Sequence, residues 1–438
     1  MLVKSQGPVL TGRERALLRR RILLLTVLPV LDATTNQINT AYHITIGSFS
    51  MLQVFRGTLL GMLLCMVGLT PRPGRHCQSA IGGVVLWLLL CLSLVATNQA
   101  VNGHGIVLLD LITYVQIGYW ITVWYATHIW IRDVPSARMV LHGLMGGGLV
   151  TAASVYYGYI VGVSNPIYAL EGVRASSGFF VSGKGIAGTL VVGGVTAGYL
   201  GIGRRTWSYS CAAVICFGAC FLTYARAGLV ALWLSLLWLV IWSTMIRSGR
   251  KSSWVGRVMT VTTVSAAILV ATVGTADLNR RWSDVNNPNR AGSGRLHIWA
   301  AAAESFGEAD LSEQLAGRGF QGMLEFIGSR IGNRIHTHND MLDMLVTGGV
   351  IGVVFLLLVF AALLAQILRT PVRSPEFAVA FSILLALSSQ AIFTGQLFMP
   401  DVMSYYVVGI TALTVNSGPA VSKRQAFRIV PAYQWYGK

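Results

Sequence analysis

The sequence predicts an all-α integral membrane protein with about twelve transmembrane helices and a large, partly helical loop between spans nine and ten. Composition is the first observation, since 54% of the 438 residues are hydrophobic and only 11% are charged. Soluble domains carry about 25% charged residues. Apolar segments of about 20 residues, the length that crosses a bilayer, recur along the chain. The positions of the basic residues are the third observation, and they agree with this count.

The apolar segments divide the chain in order. Hydropathy places the spans at 22–40, 48–70, 80–98, 104–131, 139–163, 179–202, 207–225, 227–246, 254–274, 346–368, 376–396 and 399–416. Asp32 and Asn36 interrupt the first span, so it gives the weakest signal. The predicted organisation is spans one to nine within 1–274, a polar loop at 275–340, spans ten to twelve within 341–416, and a tail at 417–438.

Basic residues cluster before span one, in every even-numbered connection, and after span twelve. These residues are Lys4, Arg13, Arg15, Arg19, Arg20, Arg21, Arg72, Arg75, Arg132, Arg138, Arg204, Arg205, Arg247, Arg250, Lys251, Arg369, Arg373, Lys423, Arg424 and Arg428. The positive-inside rule places all of them, and therefore both termini, in the cytoplasm. The loop 275–340 then faces outward, which is the periplasm for a bacterial inner membrane.

Several function classes fit this pattern poorly. The net charge of +17 is distributed in short clusters between apolar runs, which disfavours a nucleic-acid partner. The sequence has no P-loop and no G-x-G-x-x-G motif after a strand, and an outward site would not meet cytoplasmic nucleotides. The cysteines avoid the polar loop, so neither a disulfide framework nor a cysteine metal site is predicted.

Two arginines on the outward side are candidates for binding phosphate. Arg226 lies in a short turn between spans seven and eight, where a charge near the hydrocarbon is costly unless it is paired. Arg295 shares a face of a predicted helix at 294–303 with Trp299, which we expect to anchor that helix at the membrane interface. Guanidinium groups bind phosphate oxygens in pairs and keep their charge at any working pH. Arg280, Arg281 and Arg330 of the loop fit lipid headgroups equally well.

The segment His336-Thr-His338-Asn339-Asp340 closes the loop where span ten approaches. The two histidines are two residues apart, which is not the His-x-x-x-His spacing of a zinc helix, so no metal is predicted. An imidazole, with an unperturbed pKa of about 6.5, can accept a proton from a hydroxyl group. We predict this role for His338, a structural or secondary role for His336, and capping of the next helix by Asn339 and Asp340.

With this topology, the chain resembles the bacterial O-antigen ligase family of the O-antigen ligase/polymerase superfamily. The resemblance rests on short motifs in family order: Arg174…Ser177-Gly178-Phe179, Ala225-Arg226-Ala-Gly228, Arg295…Trp299, Gly317-x-Gly319, and His338-Asn339 with Gly348-Gly349-Val-Ile-Gly352. Two positions depart from the family pattern. Ala225 replaces a serine, and the chain reads Val-Ser-Gly-Lys184 where the family has a segment rich in asparagine.

The resemblance implies transfer of O-antigen glycan from undecaprenyl diphosphate to lipid A–core oligosaccharide, without a cofactor, metal or nucleotide. Arg226 and Arg295, with Arg174, would hold the diphosphate, and Lys184 would add a contact. His338 would deprotonate or orient the acceptor hydroxyl, which predicts inversion at the anomeric carbon. Secondary site roles are assigned to three further residues of the loop motifs: His336, Asn339 and Arg318.

Three other functions share some of these features. An O-antigen polymerase or a protein O-oligosaccharyltransferase of the same superfamily would use the same topology and donor, although the His-Asn motif favours the ligase. A lipid or solute transporter is the non-enzyme alternative, because Asp32 and Asp110 lie inside predicted spans and either line an ion path or pair locally. The long asymmetric loop, and a sequence without an evident two-half repeat, disfavour a transporter.

Overall fold

In the computed structural model of the protein, the described part of the chain consists mainly of α-helices. The structure describes residues 12–42, 45–46, 49–68, 82, 85, 87–90, 92–96, 108–162, 183–202, 207–245 and 295–416. The helices are α1 (Gly12–Tyr42), α2 (Met51–Gly68), α3 (Leu108–Trp130), α4 (Val134–Val161), α5 (Gly183–Leu200), α6 (Ser208–Leu222), α7 (Arg226–Met245), α8 (Arg295–Gly307), α9 (Leu311–Ala316), α10 (Gly319–Ile331), α11 (Asp340–Leu368), α12 (Pro375–Phe393) and α13 (Pro400–Asn416). Two short strands, β1 (Thr45–Ile46) and β2 (Phe49–Ser50), pair antiparallel between α1 and α2.

The helices agree with the predicted membrane architecture at the level of class. Ten of the predicted spans coincide with helices outside the loop. Within the described part of the chain, five helices are long and apolar enough to cross a membrane: α2, α4, α7, α11 and α12. A short apolar helix occurs at Trp87–Ala96, within the predicted third span, and 254–274 lies outside the described residues. The total of twelve spans therefore stays a prediction.

Glycines allow the first half of the bundle to pack closely. A Cβ added to Gly148 of α4 would lie 2.9 Å from the Cα of Gly193 in α5, so the two backbones meet at this point. A Cβ on Gly143 would lie within 2.9 Å of three backbone atoms of Thr26 in α1. Membrane helices associate through such small residues, because lipid supplies no hydrophobic force between them. The glycines therefore fix how α1, α4 and α5 pack.

The helices α7 and α12 form an antiparallel pair whose register is set by side chains. Ser235 Oγ donates to the carbonyl of Ser382 at 3.0 Å, and Trp238 Nε1 donates to the carbonyl of Ala378 at 3.0 Å. The Trp238 ring also packs on Phe381, with the ring centroids 4.5 Å apart. This register determines which residues at the ends of the two helices share a level of the bundle.

The described part of the predicted polar loop, from residue 295 onward, forms three helices with a small core of its own. The buried residues of this core are Ile298, Ala302, Met323, Ile327 and Val346, the last of which belongs to α11. The prediction of a helix near 294–303 is confirmed by α8. Asp310 caps the start of α9. Its carboxylate accepts hydrogen bonds from the Glu313 N–H and the Ser312 hydroxyl, and these bonds lower the pKa of the carboxyl group. Residues 275–294 lie outside the described part of the loop.

Asp110 ties the loop to the helix bundle. Its carboxylate, 3% exposed at the start of α3, accepts hydrogen bonds from the backbone N–H groups of Phe320 and Gln321 at the start of α10. These N–H groups have no partner within their own helix, and a carboxylate also suits the positive end of the helix dipole. The prediction offered an ion path or local pairing within the bundle for Asp110, and the structure instead pairs its carboxylate with backbone N–H groups of the loop.

Candidate active site

The histidine segment is an irregular turn held between α10 and α11. Gly332 ends α10 with φ 79°, and Asn339 begins α11 by accepting hydrogen bonds from the N–H groups of Met341 and Leu342. The predicted cap at Asn339 is confirmed. The prediction for Asp340 is wrong, because its carboxylate points to another segment of the chain and makes no cap.

Two buried aspartates hold this turn, and we call them the aspartate brace. Asp343 accepts from the backbone N–H of Thr337 at 2.8 Å, and its other oxygen lies 3.2 Å from Nδ1 of His336. Asp340 accepts from the backbone N–H groups of Gln396 and Leu397, at 2.9 and 3.0 Å, in the turn between α12 and α13. The brace thus connects the histidine segment to a second irregular turn.

His338 lies at the centre of the turn with a strained backbone. Its φ is 57°, in the left-handed region that non-glycine residues rarely adopt. Such a conformation persists only when the surrounding structure imposes it, and it is concentrated at functional sites. Its half-buried ring packs edge-on against His336, with the ring centroids 4.1 Å apart. The Asp343–His336 contact thus lies behind the ring of His338, and the secondary role of His336 stays a prediction.

Trp299 connects α8 to the same turn. Its indole N–H donates to the carbonyl of Thr337 at 2.9 Å, next to His338 in the chain. Arg295 precedes Trp299 by one helical turn and therefore shares its face of α8. Trp299 was expected to anchor the helix at the interface, and the structure gives it a direct contact with the histidine segment. Arg295, half-buried in the first turn of α8, is brought to this side of the loop.

Arg226 begins α7 directly after a tight turn. Tyr224 has φ 50° and reverses the chain between α6 and α7. Gly228 then allows α7 to approach α5, since a Cβ at Gly228 would lie 2.3 Å from the Cβ of Ala187. This close contact fixes the position of the half-buried Arg226 at the end of the bundle where α11 and α13 also begin.

The two glycine motifs pack against each other, which the sequence alone did not indicate. A Cβ at Gly317 (φ 83°) would collide with the backbone of Thr347 at 2.2 Å, and one at Gly349 (φ 61°) would collide with the backbone of Leu315 at 2.4 Å. Gly349 also interrupts α11 with a kink. The N–H of Arg318 donates to the carbonyl of Val346 at 2.9 Å. The glycines therefore dock the loop helices onto the kinked start of α11.

Of the remaining predicted site residues, Arg318 has described side-chain contacts, whereas the side chains of Arg174 and Lys184 are not described. Arg318 forms an ion pair with Glu313 at 2.9 Å, and its guanidinium lies over the ring of Phe326. Arg174 lies outside the described residues. Lys184 lies in the first turn of α5, but its side chain is also outside the described part. Among the described residues, no group of His, Cys, Asp or Glu side chains is arranged to hold a metal ion.

Sequence reasoning missed one cluster at this end of the bundle, which we call the arginine cluster. Arg56 Nε lies 3.0 Å from Asp32 Oδ1, and Arg56 Nη2 lies 3.4 Å from Asp401 Oδ1. Asn36 also donates to Asp401 at 2.9 Å. Asp32 is therefore paired locally, as one alternative predicted. The sequence does contain a signal for this cluster, because Arg56 lies inside one apolar span and Asp32 lies inside the span before it.

Comparison with known proteins identifies the region that carries this geometry. Residues 211–357, about a third of the chain, match the family model described as O-antigen ligase. The matched region contains Arg226, Arg295 and His338, together with both glycine motifs. No curated protein sequence matches the chain significantly. This match makes residues 211–357 similar to the O-antigen ligase family and supports the resemblance that the sequence motifs indicate.

Proposed function

We propose that the protein is an O-antigen ligase that transfers glycan from undecaprenyl diphosphate to lipid A–core oligosaccharide at the periplasmic face of the inner membrane. The observation that carries this proposal is the strained, half-buried His338, which is held by the aspartate brace within the region that matches the family model. The transfer needs no metal or nucleotide in this proposal. Membrane lipids surround the bundle and present both substrates.

Arg226 and Arg295 bind the diphosphate of the donor. As the acceptor hydroxyl attacks the anomeric carbon, the bond from that carbon to the diphosphate oxygen breaks, and negative charge develops on the departing diphosphate. Guanidinium groups positioned before the reaction stabilise this charge more in the transition state than in the ground state. Arg174 and Lys184 are proposed as additional phosphate contacts on the segment leading into α5.

His338 accepts the proton of the attacking hydroxyl. One base and one leaving group make a single displacement, which inverts the anomeric configuration. The two carboxylates of the aspartate brace support this choice over a covalent glycosyl intermediate. Asp340 and Asp343 are 1% and 0% exposed and accept backbone hydrogen bonds, so neither is available as a nucleophile. A product that retained the donor configuration would contradict this mechanism.

A reconstituted transfer assay tests the activity. Purified protein in detergent receives lipid-linked glycan and lipid A–core, with no nucleotide or other energy source, and the products are separated by size. Glycan on lipid A–core is expected from the wild-type protein. Glycan joined only to glycan would identify a polymerase, glycan on an added acceptor protein would identify an oligosaccharyltransferase, and no transfer would leave the transporter alternative.

Two substitutions test the site. His338→Ala and Arg226→Ala should each abolish detectable transfer, because one removes the base and the other a diphosphate contact. The matched controls are His297→Ala and Arg330→Ala, since His297 is exposed on α8 and Arg330 pairs on the surface with Glu308 at 2.7 Å. The controls should keep wild-type rates. Full activity in either site variant would remove that residue from the mechanism.

Labelling of the loop tests the orientation. A cysteine placed at the exposed Ser329 should react with a membrane-impermeant maleimide added from the periplasmic side of intact inner membranes. The native Cys65 and Cys211 are exposed in the structure and are replaced by serine first. Reaction only after the cytoplasmic side is opened would overturn the proposed location of the site.

A further inference from the structure

Two glutamines near the aspartate brace have side-chain amides that make no hydrogen bond to any described residue. Gln390 and Gln396 are each 0% exposed. The amide nitrogen and oxygen of both side chains lack a hydrogen-bond partner among the described residues. An unsatisfied buried amide costs free energy, and native proteins tolerate such groups mainly where function requires them.

The two glutamines lie close together in sequence, where α12 ends and the connection to α13 begins. Gln390 belongs to the last turn of α12, and its carbonyl accepts from the N–H groups of Thr394 and Gly395, at 2.7 and 3.1 Å. This brings the connection to α13 back over the end of α12. Gln396 follows at once, and its own N–H donates to Asp340 of the brace at 2.9 Å. The position of both glutamines is therefore fixed by backbone hydrogen bonds.

Gln390 is level with Arg226 along the bundle. The helices α7 and α12 run antiparallel, with Ser235 bonded to Ser382. At 1.5 Å per residue, Arg226 lies about 13 Å beyond Ser235, and Gln390 lies about 12 Å beyond Ser382 in the same direction. The buried amide therefore occurs at the depth where the proposed diphosphate-binding arginine begins α7.

The same turn also touches the histidine segment. A Cβ on Gly395 would lie 3.5 Å from Cε1 of His336 and 3.2 Å from Oδ2 of Asp343. The turn 394–396 thus contacts the residues that support His338. Gln390 is thus level with the proposed phosphate contact, and Gln396 belongs to the turn that contacts the supports of the proposed base. In a transfer reaction, the sugar whose bond breaks lies between the group that holds the diphosphate and the base that activates the acceptor.

We infer that Gln390 and Gln396 form the subsite for the sugar attached directly to the lipid diphosphate. This inference rests on the proposed function, which supplies the donor. A primary amide is uncharged and offers two donors and one acceptor. Neighbouring hydroxyl groups on a sugar ring both donate and accept, so they complement the pair. Phosphate oxygens only accept, and the guanidinium groups already provide their donors.

The test replaces each glutamine by methionine, which keeps the length of the side chain and removes its polar atoms. Binding to the purified full-length protein is measured with two probes, a polyprenyl diphosphate that carries one sugar and the same polyprenyl diphosphate without sugar. Gln390→Met and Gln396→Met should each weaken binding of the sugar-bearing probe about tenfold and leave the sugar-free probe unchanged. Their thermal transition should be equal to or above that of the wild type, because an unsatisfied polar group has been removed.

The matched control is Gln366→Met. Gln366 of α11 donates to Thr414 at 3.0 Å, far along the helix from the brace, so this variant should bind both probes as the wild type does. Arg226→Ala should weaken both probes equally. Unchanged sugar-dependent affinity in both glutamine variants, equal loss for the two probes, or a lowered thermal transition would overturn the subsite alone. Failure of the wild-type protein to bind the sugar-free probe would refute the proposed donor, and the subsite with it.

Discussion

The arginine cluster and the aspartate brace both bury carboxylates at one end of the bundle, but they satisfy them differently. In the arginine cluster, Arg56 of α2 contacts Asp32 of α1 and Asp401 of α13, so side chains hold three helices together. In the brace, Asp340 and Asp343 accept mainly from backbone N–H groups of two irregular turns. The first arrangement fixes helices, and the second fixes the shape of a turn that carries a strained histidine. We therefore expect damage to the cluster to lower stability and damage to the brace to lower activity.

Removing the cation from the arginine cluster should have the largest effect on stability. Arg56→Met leaves Asp32 and Asp401 close together with no counter-charge, and breaking a buried ion pair in this way costs about 3–5 kcal/mol. The thermal transition of the purified protein in detergent should fall sharply. Transfer by the fraction that remains folded should persist, because Arg56 has no role in the proposed mechanism.

The triple variant Asp32→Asn/Arg56→Met/Asp401→Asn is the matched control. It removes all three charges and keeps similar volumes, and replacing a whole buried ion cluster is often neutral for stability. Most of the lost stability should therefore return. A triple variant as unstable as Arg56→Met would show that packing around the arginine, and not its charge, holds α1, α2 and α13.

Weakening the aspartate brace should lower activity more than stability, the opposite of the result expected for the arginine cluster. Asp340→Asn keeps one carbonyl oxygen for the N–H groups of Gln396 and Leu397, but it turns an amide nitrogen toward one of them, at a cost of about 1–3 kcal/mol. The turn that supports His338 should then shift, and a displacement of about 1 Å can lower a rate about 10²-fold. The maximal rate of transfer should fall while the KM for the lipid-linked donor changes little.

Asp310→Asn is the control for the brace. Asp310 also accepts a hydrogen bond from a backbone N–H, that of Glu313 at 2.8 Å, but it is exposed at the N-cap of α9. Its activity should match that of the wild type. If Asp340→Asn instead raised KM at an unchanged maximal rate, Asp340 would act on donor binding and not on the position of His338.

The sequence predicts the elements of this site better than it predicts their contacts. Arg226, Arg295 and His338 stand out because charged or titratable residues bordering apolar spans are expensive and therefore informative. The brace could not be predicted, because Asp340 bonds to backbone N–H groups 56 and 57 residues away, and any residue type except proline supplies such a donor. From the sequence alone, the position of Asp340 before an apolar segment therefore predicts only a local helix cap.

The glycine motifs can be recognised in the sequence, but their contact with each other cannot. Gly317 and Gly349 are visible as motifs, and each needs a positive φ that favours glycine. Their mutual packing depends on the kink in α11 and on the docking of the loop helices, which are tertiary features. The helical class of the fold and the helix at 294–303 were accessible from composition and periodicity, which are local.

Gly395→Ala probes the brace through backbone strain. Gly395 has φ 68°, where a Cβ costs about 1–2 kcal/mol, and here that Cβ would also press on Asp343 at 3.2 Å. Gly332→Ala is matched for strain, since Gly332 has φ 79° and an added Cβ would meet nothing within 4 Å. Both variants should lose similar stability, and only Gly395→Ala should also lose transfer. Equal activity in the two would mean that the turn tolerates displacement of Asp343.

Asn339→Ala should have the smallest effect on stability. Its side chain accepts from the N–H groups of Met341 and Leu342 at 2.9 and 3.2 Å, and loss of such a cap costs about 1 kcal/mol. Asn339→Ser restores an oxygen acceptor for the cap but removes the amide donors. Recovery of both the thermal transition and transfer in the serine variant would assign Asn339 to the helix start alone. Recovery of stability without transfer would show that the asparagine amide contacts substrate beside His338, and the capping role would then be only part of its function.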